Sequence, residues 1–252
     1  MRTKTTAGTA LLATALLVAA SYAGTPSVSG PAVWLVAAVG VLVFAAGWPR
    51  LLDLPAPWAL SGVIGVSGLA AATLAASTPM PQPMFWMASC AAVGTLGIFM
   101  VQLLRGTGER KRLESTLGGM AGVLVAVLGS GWVAADRLAP NASNSSLMLL
   151  SGLGLAAAVL VSSIRWPDRI TGPLALVVAA LVAGTASILV ADVGLWPAVV
   201  VGAVAGVVVA GARALVVSEG GPSTTTGAIA TGLLPVLASG APLYFVERLV
   251  LR

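Results

Sequence analysis

The chain has no histidine and a single cysteine, Cys90, in 252 residues. That alone excludes a Cys/His metal cluster, a histidine general base, a disulfide within one chain and a dithiol redox pair. Charge is almost as scarce. Asp, Glu, Lys and Arg make up 8% of the residues, against roughly 25% in an ordinary soluble domain. Apart from Arg213, near the end of the run 195–216, every charged residue lies between or beyond the long apolar runs, and none falls in the middle of one. An ionisable group inside a membrane span is the usual pointer to a proton or ion pathway. Coupling to protons or sodium is therefore not expected, and no cofactor site is legible.

Apolar residues dominate what is present, at 58%. A helix needs about 20 apolar residues to cross a hydrocarbon core of roughly 30 Å. Runs of that order occupy 7–23, 31–47, 57–77, 84–104, 115–135, 147–164, 173–191, 195–216 and 226–246. The expected fold is an all-α polytopic transmembrane helix bundle of about nine spans. The first run also has the make-up of a signal peptide or anchor: Arg2 and Lys4 precede it, and Ser21-Tyr22-Ala23 offers a small-residue cleavage site.

The positive-inside rule orients the chain. With Arg2 and Lys4 in the cytoplasm, Arg50, Arg105, Arg110, Lys111, Arg112, Arg165, Arg169 and Arg213 fall on the same side, and only Arg137, Arg248 and Arg252 on the other. The N-terminus is thus expected inside, the C-terminus outside, and the protein in the cell membrane. The net charge of +5 marks topology and does not call for nucleic acid. Trp34, Trp48, Trp58, Trp86, Trp132, Trp166 and Trp196 each lie near a span end, the pattern of an interfacial aromatic belt.

An internal duplication is legible. Val41-Leu42-Val43, Trp48-Pro49 and Pro55 recur as Val159-Leu160-Val161, Trp166-Pro167 and Pro173, at an offset of 118. Thr116-x-Gly118 through Ser130-Gly131 recurs as Thr225-x-Gly227 through Ser239-Gly240, at an offset of 109. The expected organisation is 1+4+4: an N-terminal helix (1–30), one four-helix unit (31–140) and a second (141–252), related by a parallel repeat. The Gly118/Gly122 and Gly202/Gly206 pairs are small-xxx-small faces for close helix packing. Pro235 should kink the ninth span.

Candidate sites are few. The basic loop residues Arg105, Arg110, Lys111 and Arg112 should meet anionic lipid headgroups on the cytoplasmic side. Ser115 and Thr116 should open the fifth span, with Glu114 at the positive end of its dipole. Trp48-Pro49-Arg50…Asp53 and Arg165-Trp166-Pro167-Asp168-Arg169 each place acid beside base in one short loop. Ser61, Thr95, Thr185, Pro235 and Ser239 are candidates for lining a cavity between the two units. Asn141-Ala142-Ser143 and Asn144-Ser145-Ser146 match the glycosylation acceptor pattern and read as a polar loop.

Lys111-x-x-Glu114-x-x-x-Gly118-Gly119, entering an apolar helix, resembles an element of CDP-diacylglycerol synthases, polytopic enzymes that join CTP to phosphatidic acid with divalent metal. The match spans about nine residues. The family's Asp-rich signature, which would hold the metal, is missing, and so is its histidine. As a whole the chain resembles multi-spanning membrane proteins of actinobacteria, a likeness carried by Phe99–Arg105 and Gly131-Trp132-Val133-Ala134. Three readings follow: a permease for a neutral or lipidic substrate, a non-catalytic accessory subunit that binds a membrane partner or a second copy of itself, and a lipid nucleotidyltransferase. The first is preferred, and no catalytic residue is assigned.

Overall fold

A computed structural model describes residues 2–22, 29–80, 82–106, 111–138, 142–164, 166–189 and 193–250. Among these there are ten helices and no strand: α1 (Arg2–Tyr22), α2 (Ser29–Leu51), α3 (Pro57–Ser77), α4 (Met87–Arg105), α5 (Arg112–Leu128), α6 (Ser130–Asp136), α7 (Ala142–Ser162), α8 (Asp168–Leu189), α9 (Leu195–Ser218) and α10 (Thr225–Val250). Eight spans among the described residues are long and apolar enough to cross a bilayer; α5 and α6 together form one of them, Arg112–Asp136. The apolar part of α7 is shorter, Ser146–Ser162. The protein is a multi-pass integral membrane protein.

Local chemistry sets the helix ends. Pro57 opens α3, where a missing N–H is harmless. Gly106, with φ at 94°, closes α4 in a conformation that a residue with a Cβ rarely adopts. The Gly220-Gly221 pair, both with φ at 79°, turns the chain between α9 and α10.

The ends of α1 (N-terminal), α2, α4, α7 and α9 (C-terminal) and of α3, α5, α8 and α10 (N-terminal) lie on one side. The lysines and most of the arginines are there, and we call it the basic face. The other side is the opposite face. A central column is formed by α10 and α5/α6. α10 packs against α1, α2, α5, α6, α7 and α9, while α7, α8 and α9 form a tight group beside it. The outer helices turn large apolar side chains outward: Leu104 is 85% exposed, Ile188 74% and Leu189 88%. Apolar surface of this kind suits lipid and not water.

Small residues bring the backbones together. On α9, Gly202 faces Ala179 and Ala183 of α8, and Gly206 faces Ala175 and Leu176. This small-xxx-small face is therefore used within the monomer. Gly118 and Gly122 serve differently, as a hollow for side chains. Gly118 takes Leu52 and Leu54, and Gly122 takes the indole of Trp48. Beyond the break at Gly129, Gly131 lies directly on Gly240 and Ala241.

Two tryptophans depart from the aromatic belt. Trp48 and Trp132 are each 1% exposed. The Trp48 Nε1–H donates to the Gly118 carbonyl at 2.8 Å and the Trp132 Nε1–H to the Val236 carbonyl at 2.7 Å. A buried indole needs such an acceptor, and glycine supplies the room at Gly122 and Gly240. Trp58, Trp86, Trp166 and Trp196 are exposed, as a belt requires.

The two expected four-span units do not pack alike. In the first, α3 packs against α5; in the second, α7 packs against α9. Trp48-Pro49 lies inside α2, whereas Trp166-Pro167 lies between α7 and α8.

Candidate functional site: a cavity on the basic face

A cavity of about 400 Å³ opens on the basic face between α1, α7, α9 and α10. It is bordered by Thr6 and Ala10 of α1, Val159 and Ser162 of α7, Val209 and Arg213 of α9, and Thr231 and Pro235 of α10. From Thr225 to Pro235 is ten residues of helix, or about 15 Å of rise. The cavity thus reaches about halfway through a hydrocarbon core of roughly 30 Å. Its volume lies in the range of small-molecule sites.

The wall is mostly aliphatic, with a small set of polar groups. The Ser162 Oγ is buried and has no hydrogen-bond partner among the described residues. The Thr231 hydroxyl donates to the Gly227 carbonyl at 2.8 Å. Pro235 lacks the N–H that would bond the Thr231 carbonyl one turn earlier. Arg213 donates to the Ser162 carbonyl, to the Ile164 carbonyl at 3.1 Å and to the Trp166 carbonyl at 3.2 Å. The first two carbonyls lie at the C-terminal end of α7, where a cation is favoured; the third, just before α8, also accepts from the Thr171 hydroxyl at 3.1 Å. Arg213 is thus committed to holding the end of α7 and the turn into α8. The close approach of α1 depends on Gly232, whose position leaves no room for a Cβ beside the Thr6 carbonyl.

Of the cavity candidates read from the sequence, only Pro235 borders this space. Two of the others, Ser239 and Thr185, bond back to their own helices, as hydroxyls in a span commonly do. Ser239 is fully buried and donates to the Val236 carbonyl. Thr185 is exposed on the outside of α8 and donates to the Leu181 carbonyl at 2.8 Å. Ser61 lies on α3, and its buried Oγ is unpartnered among the described residues. Thr95 is half-buried on α4. The cavity also lies beside α1, not between the two four-span units.

The basic loop is partly described. Arg110 lies outside the described residues, as do Arg165 and Asn141. Arg105 donates to the Gln102 Oε1 at 2.9 Å, and the Gln102 Nε2–H donates to the Ser115 Oγ at 2.7 Å. Ser115 is therefore a buried acceptor and no helix cap. Thr116 bonds the Arg112 carbonyl of its own helix. The Lys111 ammonium pairs with the Asp53 carboxylate at 3.0 Å, both largely exposed. Asp53 thus pairs across loops, and not with Arg50, which stacks over the Trp58 ring at 4.5 Å. Arg112 is half-buried, and Glu114 is exposed in the first turn of α5. Among the described residues no group of three or more His, Cys, Asp or Glu side chains could hold a metal ion.

Sequence reasoning missed one functional candidate. Glu247, just past the ninth apolar run, is 1% exposed in α10 near the opposite face. The Ser151 hydroxyl of α7 donates to its Oε1 at 3.0 Å, and its Oε2 has no partner among the described residues. The signal was helical register: Gly240, Leu243 and Tyr244 lie on the same buried face, one and two turns earlier. Comparison with protein-family models, with curated proteins and with solved structures returned no match for this chain.

Proposed function

We propose that this membrane protein is a permease for a neutral or lipidic amphipath, admitted through the cavity between α1, α7, α9 and α10. The observation that carries this reading is the cavity itself: aliphatic walls, an unpartnered hydroxyl at Ser162 and no uncommitted charge among its described lining residues. The charged side chain among those residues, Arg213, is engaged by backbone carbonyls, and burying a solute's unpaired charge is expensive. An aliphatic chain with a hydroxyl-bearing head would find both walls and a hydrogen-bond partner.

The basic face is the cytoplasmic one in this reading, by the excess of basic residues on it. Arg105, Lys111 and Arg112 then lie at the level of anionic headgroups in the cell membrane. The test is a photo-crosslinking analogue of a neutral long-chain alcohol, added to the protein in liposomes. Adducts on α7, α9 and α10 peptides bordering the cavity, competed away by unlabelled alcohol, are expected. Adducts confined to the outward faces of α4 and α8 would overturn the proposal.

A further inference from the structure

Glu247 is the one acidic side chain that the described bundle encloses completely. It is held by Ser151 alone, through one oxygen. We propose that the Glu247 carboxyl is a proton-binding site, and that its charge decides whether the seam between α7 and α10 is closed at the opposite face.

The chemistry around it is sparse. On α10 itself, the Arg248 guanidinium is turned to the Tyr244 hydroxyl at 3.4 Å. Just past α6, Arg137 donates to the Ala75 and Thr78 carbonyls at 2.5 and 2.8 Å, at the end of α3, and Asp136 is the charged residue of α6 itself. α1 brings only Tyr22. The described ends of α2, α7 and α9 at this face bring no ionisable side chain. No cation is therefore paired with Glu247 among the described residues.

Enclosing an ionised carboxylate with a single hydrogen bond is strongly unfavourable. A neutral carboxyl carries no such penalty. Closing the seam and binding the proton are then one event. The proton comes from water at the opposite face, joins a carboxylate oxygen, and returns to the same water when α7 and α10 part. No other bond is made or broken.

The same two helices flank the cavity at the other face, through Val159 and Ser162 on α7 and Thr231 and Pro235 on α10. If the cavity is the substrate path, a link that rests on the permease reading, the proton holds the path shut on one side while it is open on the other.

The test uses the full chain in liposomes, with Cys90→Ala and Met148→Cys. Met148 is buried on α7 one turn before Ser151. A membrane-impermeant thiol reagent is added at the opposite face across a pH series, with its rate corrected for the thiolate fraction. A single linked proton makes the corrected rate rise by up to about tenfold per pH unit. Glu247→Gln should keep Met148→Cys protected at every pH. Ser151→Ala removes the one donor to the carboxylate and should move the rise to higher pH. A corrected rate independent of pH, or a pH response that survives in Glu247→Gln, overturns the proposal. Val209→Cys, probed from the basic face in the same liposomes, reads the cavity separately. A titrating seam with a silent Val209→Cys keeps the proton site and removes the permease. A labelled Val209→Cys with a non-titrating seam does the reverse.

Discussion

Gly131→Ala should damage this protein more than any other single methyl group we can add by design. An ideal Cβ at Gly131 would lie 2.2 Å from both the Ala241 nitrogen and the Gly240 carbonyl carbon of α10. Ordinary contact begins more than an ångström farther out. Both obstacles are backbone, so no rotamer change relieves the clash. The α6–α10 seam must open by roughly 1 Å, and a gap of that size forfeits a quarter to a half of the dispersion energy along it. Overpacking typically costs about 1–3 kcal/mol; with backbone on both sides we expect about 3 kcal/mol. The control is Gly211→Ala, where nothing lies within 4 Å. There the change should be neutral or stabilising by up to about 1 kcal/mol, the helix-propensity difference. Equilibrium unfolding in mixed micelles by circular dichroism measures both. A Gly131→Ala protein within about 0.5 kcal/mol of the parent would refute the packing described for α6 and α10.

Two further outcomes follow from hydrogen bonds. Trp48→Phe removes the donor to the Gly118 carbonyl while keeping most of the buried ring, and should cost about 1–2 kcal/mol; Trp48→Ala should cost about 3–5 kcal/mol. Both are read in the same micelle assay. Arg213→Ala uncaps the carbonyls of Ser162, Ile164 and Trp166 and should cost about 2 kcal/mol, as expected for charge-assisted bonds. Hydrogen exchange should then quicken in the last turn of α7 and stay unchanged in α8.

The spans were legible because a bilayer demands length and apolarity, which hydropathy reports directly. The runs 57–77 and 195–216 lie at the positions of α3 and α9. Which way a side chain points within a span was less legible. Trp48 and Trp132 stand near span ends like the other tryptophans, and only the hollows at Gly122 and Gly240 set them apart. Thr185 and Ser239 are equally polar in sequence, yet one faces outward and the other is buried. Each bonds its own helix, so polarity alone did not mark a cavity. The cavity arises where Pro235, Gly232 and the α9–α10 turn bring α1 against the second group of helices, an arrangement that depends on tertiary packing. Glu247 escaped because it falls one residue past the end of the run 226–246, where charge is expected to lie outside the bilayer.

The central claim is that the cavity between α1, α7, α9 and α10 is open from the basic face. Single cysteines at Val209 and Thr231, in a Cys90→Ala background, test it most directly with a membrane-impermeant thiol reagent on native vesicles of each orientation. Val123, fully buried between α3, α4 and α5, is the dry control. We predict labelling of Val209→Cys and Thr231→Cys from the basic face and none at Val123→Cys. Protection of all three alike would mean a solid bundle, and would contradict the account.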